Sequence, residues 1–156
     1  PFAAHTGKIY PLNRMEEVVR LLSEQGDKIY LFGAGEKEKN VLCDWETKYP
    51  HVESLAGRYT MAEEIERMRH LRLMLTMDSA NMHLASIAGT RVLSVWGATH
   101  PAAGFLGYGQ KQSDCIQRDL PCRPCSVYGN KPCRYGDYRC MAIAPEEIVE
   151  RINQAR

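Results

Sequence analysis

The sequence predicts an α/β fold, a Rossmann-like parallel sheet with helices on both faces. The first observation is that four short apolar runs alternate with segments of helical periodicity along most of the chain. The second is the stretch Leu71–Pro101, in which an apolar run ends at Asp78, a helical segment follows, and a second run extends to Trp96. A strand, a helix and a strand in this order form the βαβ unit from which parallel sheets with right-handed crossovers are built.

Each predicted strand is a short apolar run bounded by polar or turn residues. The predicted strands are Lys28–Phe32, Val52–Leu55, Leu71–Met77 and Arg91–Trp96. The predicted helices begin near Pro11, before Val41, at Thr60, after Ser79 and at Pro145. Thr60 and Glu63 have the spacing of a capping box. Phe2–Ala4 is interpreted as the end of a further strand.

Residues 98–142 differ from the rest of the chain in composition and in periodicity. They hold five glycines, four prolines and five of the six cysteines, without helical or strand periodicity. Long irregular segments inside a compact domain are usually functional or cross-linked. We therefore expect one domain over residues 1–156 with an irregular, cysteine-rich segment at about 98–142.

Composition excludes several classes of function. Hydrophobic residues make up 44% and charged residues 25% of the chain, which is ordinary for a globular domain. A net charge of +1 offers no basic face, so nucleic acid is not an expected partner. No apolar run approaches the roughly 18 residues of a membrane span. The expected location is the cytoplasm, including the inner face of the membrane.

The polar residues that follow the third strand form the candidate ligand site. Asp78, Ser79, Ala80 and His83 lie where a strand ends and a helix begins. Ligands of open parallel sheets bind at this edge, and the free amides of a helix N-terminus attract anions. From the residues alone, Asp78 is most simply a helix N-cap and His83 a hydrogen-bonded structural residue.

The segment from Asp78 to Pro101 reads DSANMHLASIAGTRVLSVWGATHP. It resembles glycosyltransferase family 9, the ADP-heptose:lipopolysaccharide heptosyltransferases of bacteria. The usual pattern in that family is close to D-[ST]-G-x-x-H-L-A-A-A-L-G-T-P-V-V-A-L-F-G-P-T-x-P. One departure is Ala80, where the family usually has glycine, and its methyl group would crowd a phosphate that approaches the backbone.

The resemblance extends to two further positions. Lys8-Ile9-Tyr10-Pro11 keeps the family spacing of a lysine before a [WY]-P pair. In the family this lysine contacts the donor phosphates, and the resemblance implies the same role for Lys8. Glu36, after Gly33-Ala34-Gly35, falls where the family has a ribose-binding acid. From the residues alone, Lys8 is interpreted as a solvated charge and Glu36 as a helix-capping acid. The resemblance also implies that Asp78 contacts the donor sugar and that Ser79 and Ala80 contact the diphosphate. It places His83 near the phosphates.

Four cysteines of the irregular segment have the spacing C-x2-C-x7-C-x6-C. They are Cys122, Cys125, Cys133 and Cys140. The first pair has the spacing of a zinc knuckle, whereas the second pair is looser than in most structural zinc sites. A structural zinc, disulfides and a cluster of free thiols all remain open. Each would be a structural staple, since the resemblance implies transfer chemistry that requires no cofactor.

The resemblance implies the donor-binding, carboxy-terminal half of an inverting GT-B glycosyltransferase. Such an enzyme transfers heptose or a related sugar from an ADP-sugar to a lipopolysaccharide-core or similar glycan acceptor. No catalytic residue is expected in this chain, because the base of this family lies in the amino-terminal acceptor domain. The alternative is a nucleotide-binding regulatory or interaction module without transferase activity.

Overall fold

The computed structural model describes residues 2–156 and has the predicted α/β fold. Its strands are β1 (Ile29–Leu31), β2 (Val52–Ser54), β3 (Met74–Met77), β4 (Val92–Trp96) and β5 (Cys115–Gln117). Its helices are α1 (Leu12–Glu24), α2 (Gly35–Lys48), α3 (Met61–Arg69), α4 (Ala80–Ala88) and α5 (Pro145–Gln154). Short 3₁₀ turns lie at Thr6–Lys8, Pro101–Ala103, Gln112–Asp114 and Arg139–Met141. Every predicted helix and strand is present, apart from the one interpreted at Phe2–Ala4, which has no strand structure.

All the strand pairs are parallel, as predicted. β1 pairs with β2, while β3, β4 and β5 form a second sheet in that order. We expected a single sheet of at least four strands, and in this respect the prediction is wrong. β1 and β3 do not pair within the described residues, because a cavity lies between their facing edges.

Side chains alternate between two apolar layers along the strands. In β4, Leu93 and Val95 belong to the core with α1, α2 and α5, whereas Val92 and Trp96 belong to the core with α3 and α4. Alternate residues of a strand point to opposite faces, so these two cores lie on opposite sides of the sheet. Helices therefore cover both faces, as predicted.

Helix ends follow local rules. Thr60 caps α3 through a full capping box, in which its hydroxyl accepts from the Glu63 amide and the Glu63 carboxylate accepts from the Thr60 amide at 2.8 Å. α4 ends at Gly89, whose φ of 79° lies in the left-handed region that glycine adopts without strain.

Among residues 2–156, no helix combines the length and the apolar character that crossing a membrane requires. The cytoplasmic location stays a prediction.

The cysteine-rich segment contains more order than its composition indicates. β5 lies inside it and extends the second sheet by pairing with β4. Beyond β5 the chain returns to the carboxyl end of β4, where the Cys125 amide donates to the Ala98 carbonyl at 2.8 Å. Arg123 is half-buried there and donates to the carbonyls of Gly97 and Thr99. Its burial lowers the pKa of the guanidinium. The segment therefore lies against the edge where ligands of parallel sheets bind.

Candidate functional site

The candidate site lies where β3 and β4 end and where the turn Thr6–Lys8 meets them. The Gly7 carbonyl accepts a hydrogen bond of 2.8 Å from the amide of Ala98, just past β4. This approach needs glycine, because a Cβ on Gly7 would lie 2.8 Å from the Cβ of Ala98. The contact places Lys8 at the carboxyl ends of both strands.

Lys8, Asp78 and Thr99 form a compact polar cluster. The Lys8 ammonium lies 2.9 Å from Asp78 Oδ2, and the same oxygen accepts a hydrogen bond of 2.8 Å from the Thr99 hydroxyl. The Asp78 side chain is 4% exposed and that of Lys8 14% exposed. No partner for the other carboxylate oxygen, Oδ1, is found in the described part of the chain. Two donors therefore fix the carboxylate through one oxygen and leave the other oxygen free to accept from a ligand.

The N-terminus of α4 adjoins this cluster. Ser79 is its N-cap residue, yet its hydroxyl makes no capping bond and lies instead 3.2 Å from Thr76 Oγ1. Within residues 2–156, the backbone amides of Ala80 and Asn81 have no hydrogen-bond partner. Asp78 does not cap the helix, contrary to its simplest interpretation. Free amides at a helix N-terminus, beside a lysine, form an environment that favours anions.

Five of the six predicted site residues line a single cavity of about 1170 Å³. These are Lys8, Asp78, Ser79, Ala80 and His83. Ala80 is exposed in the first turn of α4, at the position where the resemblance leads one to expect glycine. His83 is exposed one turn further along. The residues that the sequence predicts for the diphosphate and the sugar are thus brought together.

Glu36 lies apart from this group. Its side chain is 84% exposed in the first turn of α2, 4.0 Å from the Lys39 ammonium, and it is not among the residues that line the cavity. Glu38, two residues further on, does line the cavity, and its carboxylate accepts a 2.8 Å hydrogen bond from the Ala34 amide. The sequence reasoning did not single out Glu38, because only its placement distinguishes it from its neighbours.

Residues from the irregular segment pack over Lys8. The Phe105 ring centroid is 5.7 Å from the Lys8 ammonium and 5.7 Å from the ring centroid of Tyr128. Gly129, with φ 72°, covers the Lys8 side chain so closely that a Cβ would lie 2.9 Å from Lys8 Cγ. Sequence reasoning missed these residues and Thr99. Only Thr99 carried a usable signal, since it follows a predicted strand within the recognised segment.

The four spaced cysteines do not form a metal site in the described residues. All six cysteines are free thiols, and no group of three or more His, Cys, Asp or Glu side chains among residues 2–156 is placed to hold a metal ion. Burial raises the pKa of Cys125, and the neighbouring Cys122 and Cys133 raise it further. The pKa of the Cys133 thiol is lowered instead, because its sulfur accepts hydrogen bonds from backbone amides, that of Tyr135 first. In this geometry the thiols do not fit a metal.

The fold and the position of the site define an α/β domain with a candidate anion site at the carboxyl edge of its parallel strands. The chain belongs to glycosyltransferase family 9 (heptosyltransferase), whose model matches residues 1–136.

Individual relatives agree with this assignment. The chain is 25% identical over 142 residues to lipooligosaccharide heptosyltransferase 2 from Campylobacter jejuni subsp. jejuni serotype O:6, covering 87% of this chain and 43% of that protein. It superposes on the structure of E. coli ADP-heptose lps heptosyltransferase II with a TM-score of 0.74 at 18% identity, covering 99% of this chain and 44% of that one. For E. coli heptosyltransferase WaaC with ADP, the TM-score is 0.72 at 17% identity, covering 99% and 42%. The chain thus spans less than half the length of each.

Proposed function

We propose that this chain is the donor-binding half of an inverting glycosyltransferase that takes heptose or a related sugar from an ADP-sugar. The acceptor is a lipopolysaccharide-core or similar glycan. The observation that carries the proposal is the Lys8–Asp78–Thr99 cluster beside the free N-terminal amides of α4. Lys8, Asp78, Ala80 and Asn81 line one cavity, and Thr99 supports Asp78 from behind it. Family membership supports this choice of donor, and so do the similar solved structures, an ADP-heptose heptosyltransferase and a heptosyltransferase with ADP.

The diphosphate binds at the N-terminus of α4 and beside Lys8. The Ala80 and Asn81 amides donate to phosphate oxygens, and the Lys8 ammonium neutralises the charge that develops on the departing nucleoside diphosphate. His83 adds a further donor one turn along the helix. A lysine and a helix terminus together supply the electrostatic stabilisation for which other transferases use a divalent cation.

The sugar binds on the Asp78 side of the cluster. A bare carboxylate would repel the diphosphate, but Lys8 and Thr99 already bind Oδ2. The remaining oxygen, Oδ1, is then suited to accept hydrogen bonds from sugar hydroxyls. Asp78→Asn should therefore weaken binding of the ADP-sugar and change the affinity for ADP much less.

The ribose binds at the turn between β1 and α2, through a carboxylate that accepts from its two hydroxyls. Glu36 is the sequence-based prediction, whereas the geometry favours Glu38, which lies on the cavity wall. Glu36→Gln and Glu38→Gln are a matched pair two residues apart on one helix. We expect Glu38→Gln to weaken ADP binding about tenfold, as for the loss of a charge-assisted hydrogen bond, and Glu36→Gln to leave it nearly unchanged. A larger loss of ADP affinity in Glu36→Gln than in Glu38→Gln would assign ribose binding to Glu36.

The catalytic base and the acceptor site belong to the part of the enzyme outside this chain. Inverting transfer requires a carboxylate to take the proton of the attacking hydroxyl, and no side chain of the described cluster is assigned that role. The rival proposal is a nucleotide-binding module without transferase activity. A transfer assay with the full-length protein separates the two: sugar transfer that Lys8→Met or Asp78→Asn abolishes supports the transferase, and binding without transfer supports the rival.

The cysteine-rich segment acts as a structural cover for the site and not as a reaction centre. A metal-loaded form would require the four thiols to move together, because they do not fit a metal as they stand. Elemental analysis of protein purified without chelator tests for zinc, and mass spectrometry under non-reducing conditions tests for disulfides. We expect neither to be needed for ADP binding.

A further inference from the structure

Three residues directly after β4, Gly97–Thr99, connect the candidate site to the cysteine-rich segment. We call them the post-β4 segment. One side of this segment contacts the site, because its central amide donates to the Gly7 carbonyl and the hydroxyl of its last residue donates to Asp78 Oδ2, each at 2.8 Å. Asp78 is therefore held directly by the post-β4 segment, and Lys8 is held through its neighbour Gly7.

All three carbonyls of the post-β4 segment accept hydrogen bonds from the other side. Arg123 donates from Nε to the Gly97 carbonyl and from Nη2 to the Thr99 carbonyl. The Cys125 amide donates to the Ala98 carbonyl between them at 2.8 Å. Ala98 and Thr99 are buried, at 2% and 0% exposure, and a buried carbonyl without a donor is costly. The guanidinium reaches two alternate carbonyls because its donors have a fixed, planar fork geometry.

Among the described residues, the hydrogen-bond partners of Arg123 include no carboxylate. Its other donors bond to the Arg118 carbonyl and to the side-chain amide oxygen of Gln117, so every acceptor is neutral. Withdrawing a guanidinium from water costs free energy that neutral acceptors offset only in part. A lysine at this position would lack the planar fork that bonds both ends of the post-β4 segment. The arrangement therefore favours a role in fixing this segment over a role in an ion pair.

We propose that Arg123 is a positioning residue of the candidate donor site. It holds the post-β4 segment by its carbonyls, and the segment holds the Thr99 hydroxyl on Asp78 and the turn at Gly7 that carries Lys8. Without the guanidinium the segment relaxes, so the two charges of the pair move apart and water enters between them. Both changes weaken an ion pair. That the pair binds the donor rests on the proposed function, whereas its positioning by Arg123 does not.

The test measures the coupling between Lys8 and Asp78 in three backgrounds. The double-mutant cycle of Lys8→Met and Asp78→Asn is carried out by urea denaturation in the unchanged chain, in Arg123→Met and in Arg118→Met. Arg118 is the matched control, because its guanidinium donates to a carbonyl and a carboxylate that lie outside the post-β4 segment. We expect Arg123→Met to lower the coupling free energy by roughly half or more, and Arg118→Met to leave it unchanged.

Arg123→Lys separates positioning from charge, and it takes the place of Arg123→Met if that variant does not fold. It keeps the positive charge without the planar fork, so the coupling should stay clearly below that of the unchanged chain. Calorimetric titration with ADP is a second readout. The affinity should fall several-fold in Arg123→Met and change little in Arg118→Met.

The proposal is wrong if Arg123→Met loses stability while the coupling stays unchanged, or if Arg118→Met lowers the coupling equally. A guanidinium that only tethers the irregular segment would give the first result. Full coupling in Arg123→Lys would also contradict it, because charge alone would then be sufficient, and so would absence of coupling in the unchanged chain. If the unchanged chain does not bind ADP, the proposed function fails, and the coupling measurements still decide the role of Arg123.

Discussion

At the scale of single residues, the site depends on an ion pair that is largely buried from solvent. Asp78 is almost fully buried, and Lys8 and Thr99 are its partners in the described structure. Removing one partner from a buried pair leaves the other charge uncompensated, which usually costs more than the pair itself contributes. The two side chains are therefore expected to be coupled in stability as well as in binding.

A double-mutant cycle on Lys8→Met and Asp78→Asn measures that coupling. We expect each single variant to lower the free energy of unfolding by about 1–3 kcal/mol, less than for a fully buried pair because Lys8 is partly exposed. The double variant should lose clearly less than the sum, since it leaves no unpaired charge. Urea denaturation of all four proteins gives the values. Additive losses would show that the two charges are screened from each other and that the cluster is not coupled.

Gly129 provides a second test at this scale. Gly129→Ala places a methyl group in contact with Lys8 and requires a non-glycine residue at φ 72°, whereas Gly136→Ala imposes the same backbone strain at φ 73° with no atom within 4 Å. Both variants should lose about 1 kcal/mol of stability from the left-handed backbone. Only Gly129→Ala should weaken ADP binding, by about tenfold, because it displaces Lys8, the lysine proposed to bind the phosphates. Calorimetric titration gives the ADP affinities of the two variants. Equal affinities would show that the irregular segment has no part in ADP binding.

At the scale of elements, α3 and α4 begin differently. Thr60 caps α3 with its side chain, whereas Ser79 leaves the first amides of α4 free. Thr60→Ala should cost about 1 kcal/mol of stability without affecting ligand binding, as the loss of an N-cap does. Ser79→Ala should cost less stability and weaken ADP binding. Thermal denaturation and ADP titration of the two variants check this, and a larger stability loss for Ser79→Ala would mean that its hydroxyl has a structural role.

Much of the element order followed from local sequence patterns. Apolar runs located β1 to β4, and the Thr60–Glu63 spacing located the capping box, because these signals act between near neighbours. β5 was missed, since Cys115–Gln117 is too short and too mixed to carry a period of its own and pairs with β4 through tertiary contacts. The break between the two sheets was missed for a similar reason, because strand pairing depends on which segments are near in space.

The site was predictable where a local pattern or the family spacing marks its residues. Asp78, Ser79, Ala80 and His83 follow a strand end, which local patterns identify, and Lys8 was placed by the family spacing. Phe105 and Gly129 reach the same point from distant parts of the chain, and Thr99 was missed although it lies within the recognised segment. Their placement depends on hydrogen bonds such as the one from Ala98 to Gly7, which no sequence period encodes.

At the scale of the whole molecule, the chain spans less than half the length of its relatives. A two-domain transferase reacts in the cleft between its halves, and positioning of the acceptor supplies several kcal/mol of the barrier reduction. We therefore expect no sugar transfer by residues 1–156 alone, although slow hydrolysis of the donor is compatible with the site. Product analysis by mass spectrometry, with a glycan acceptor present, checks this. Robust transfer would show that a side chain of this chain, His83 or His100, acts as the base.

The most direct test of the proposed function is an NMR titration of residues 1–156 with two ligands, ADP-heptose and ADP. The Lys8→Met variant, titrated in the same way, is the control protein. We predict saturable, micromolar-to-millimolar binding, with shift changes centred on Lys8, Asp78–His83 and Glu38. Affinity should fall in Lys8→Met, and the difference between the two proteins should shrink as salt rises. Absence of saturable binding, or shift changes confined to residues away from the carboxyl ends of β3 and β4, would contradict the proposed donor site.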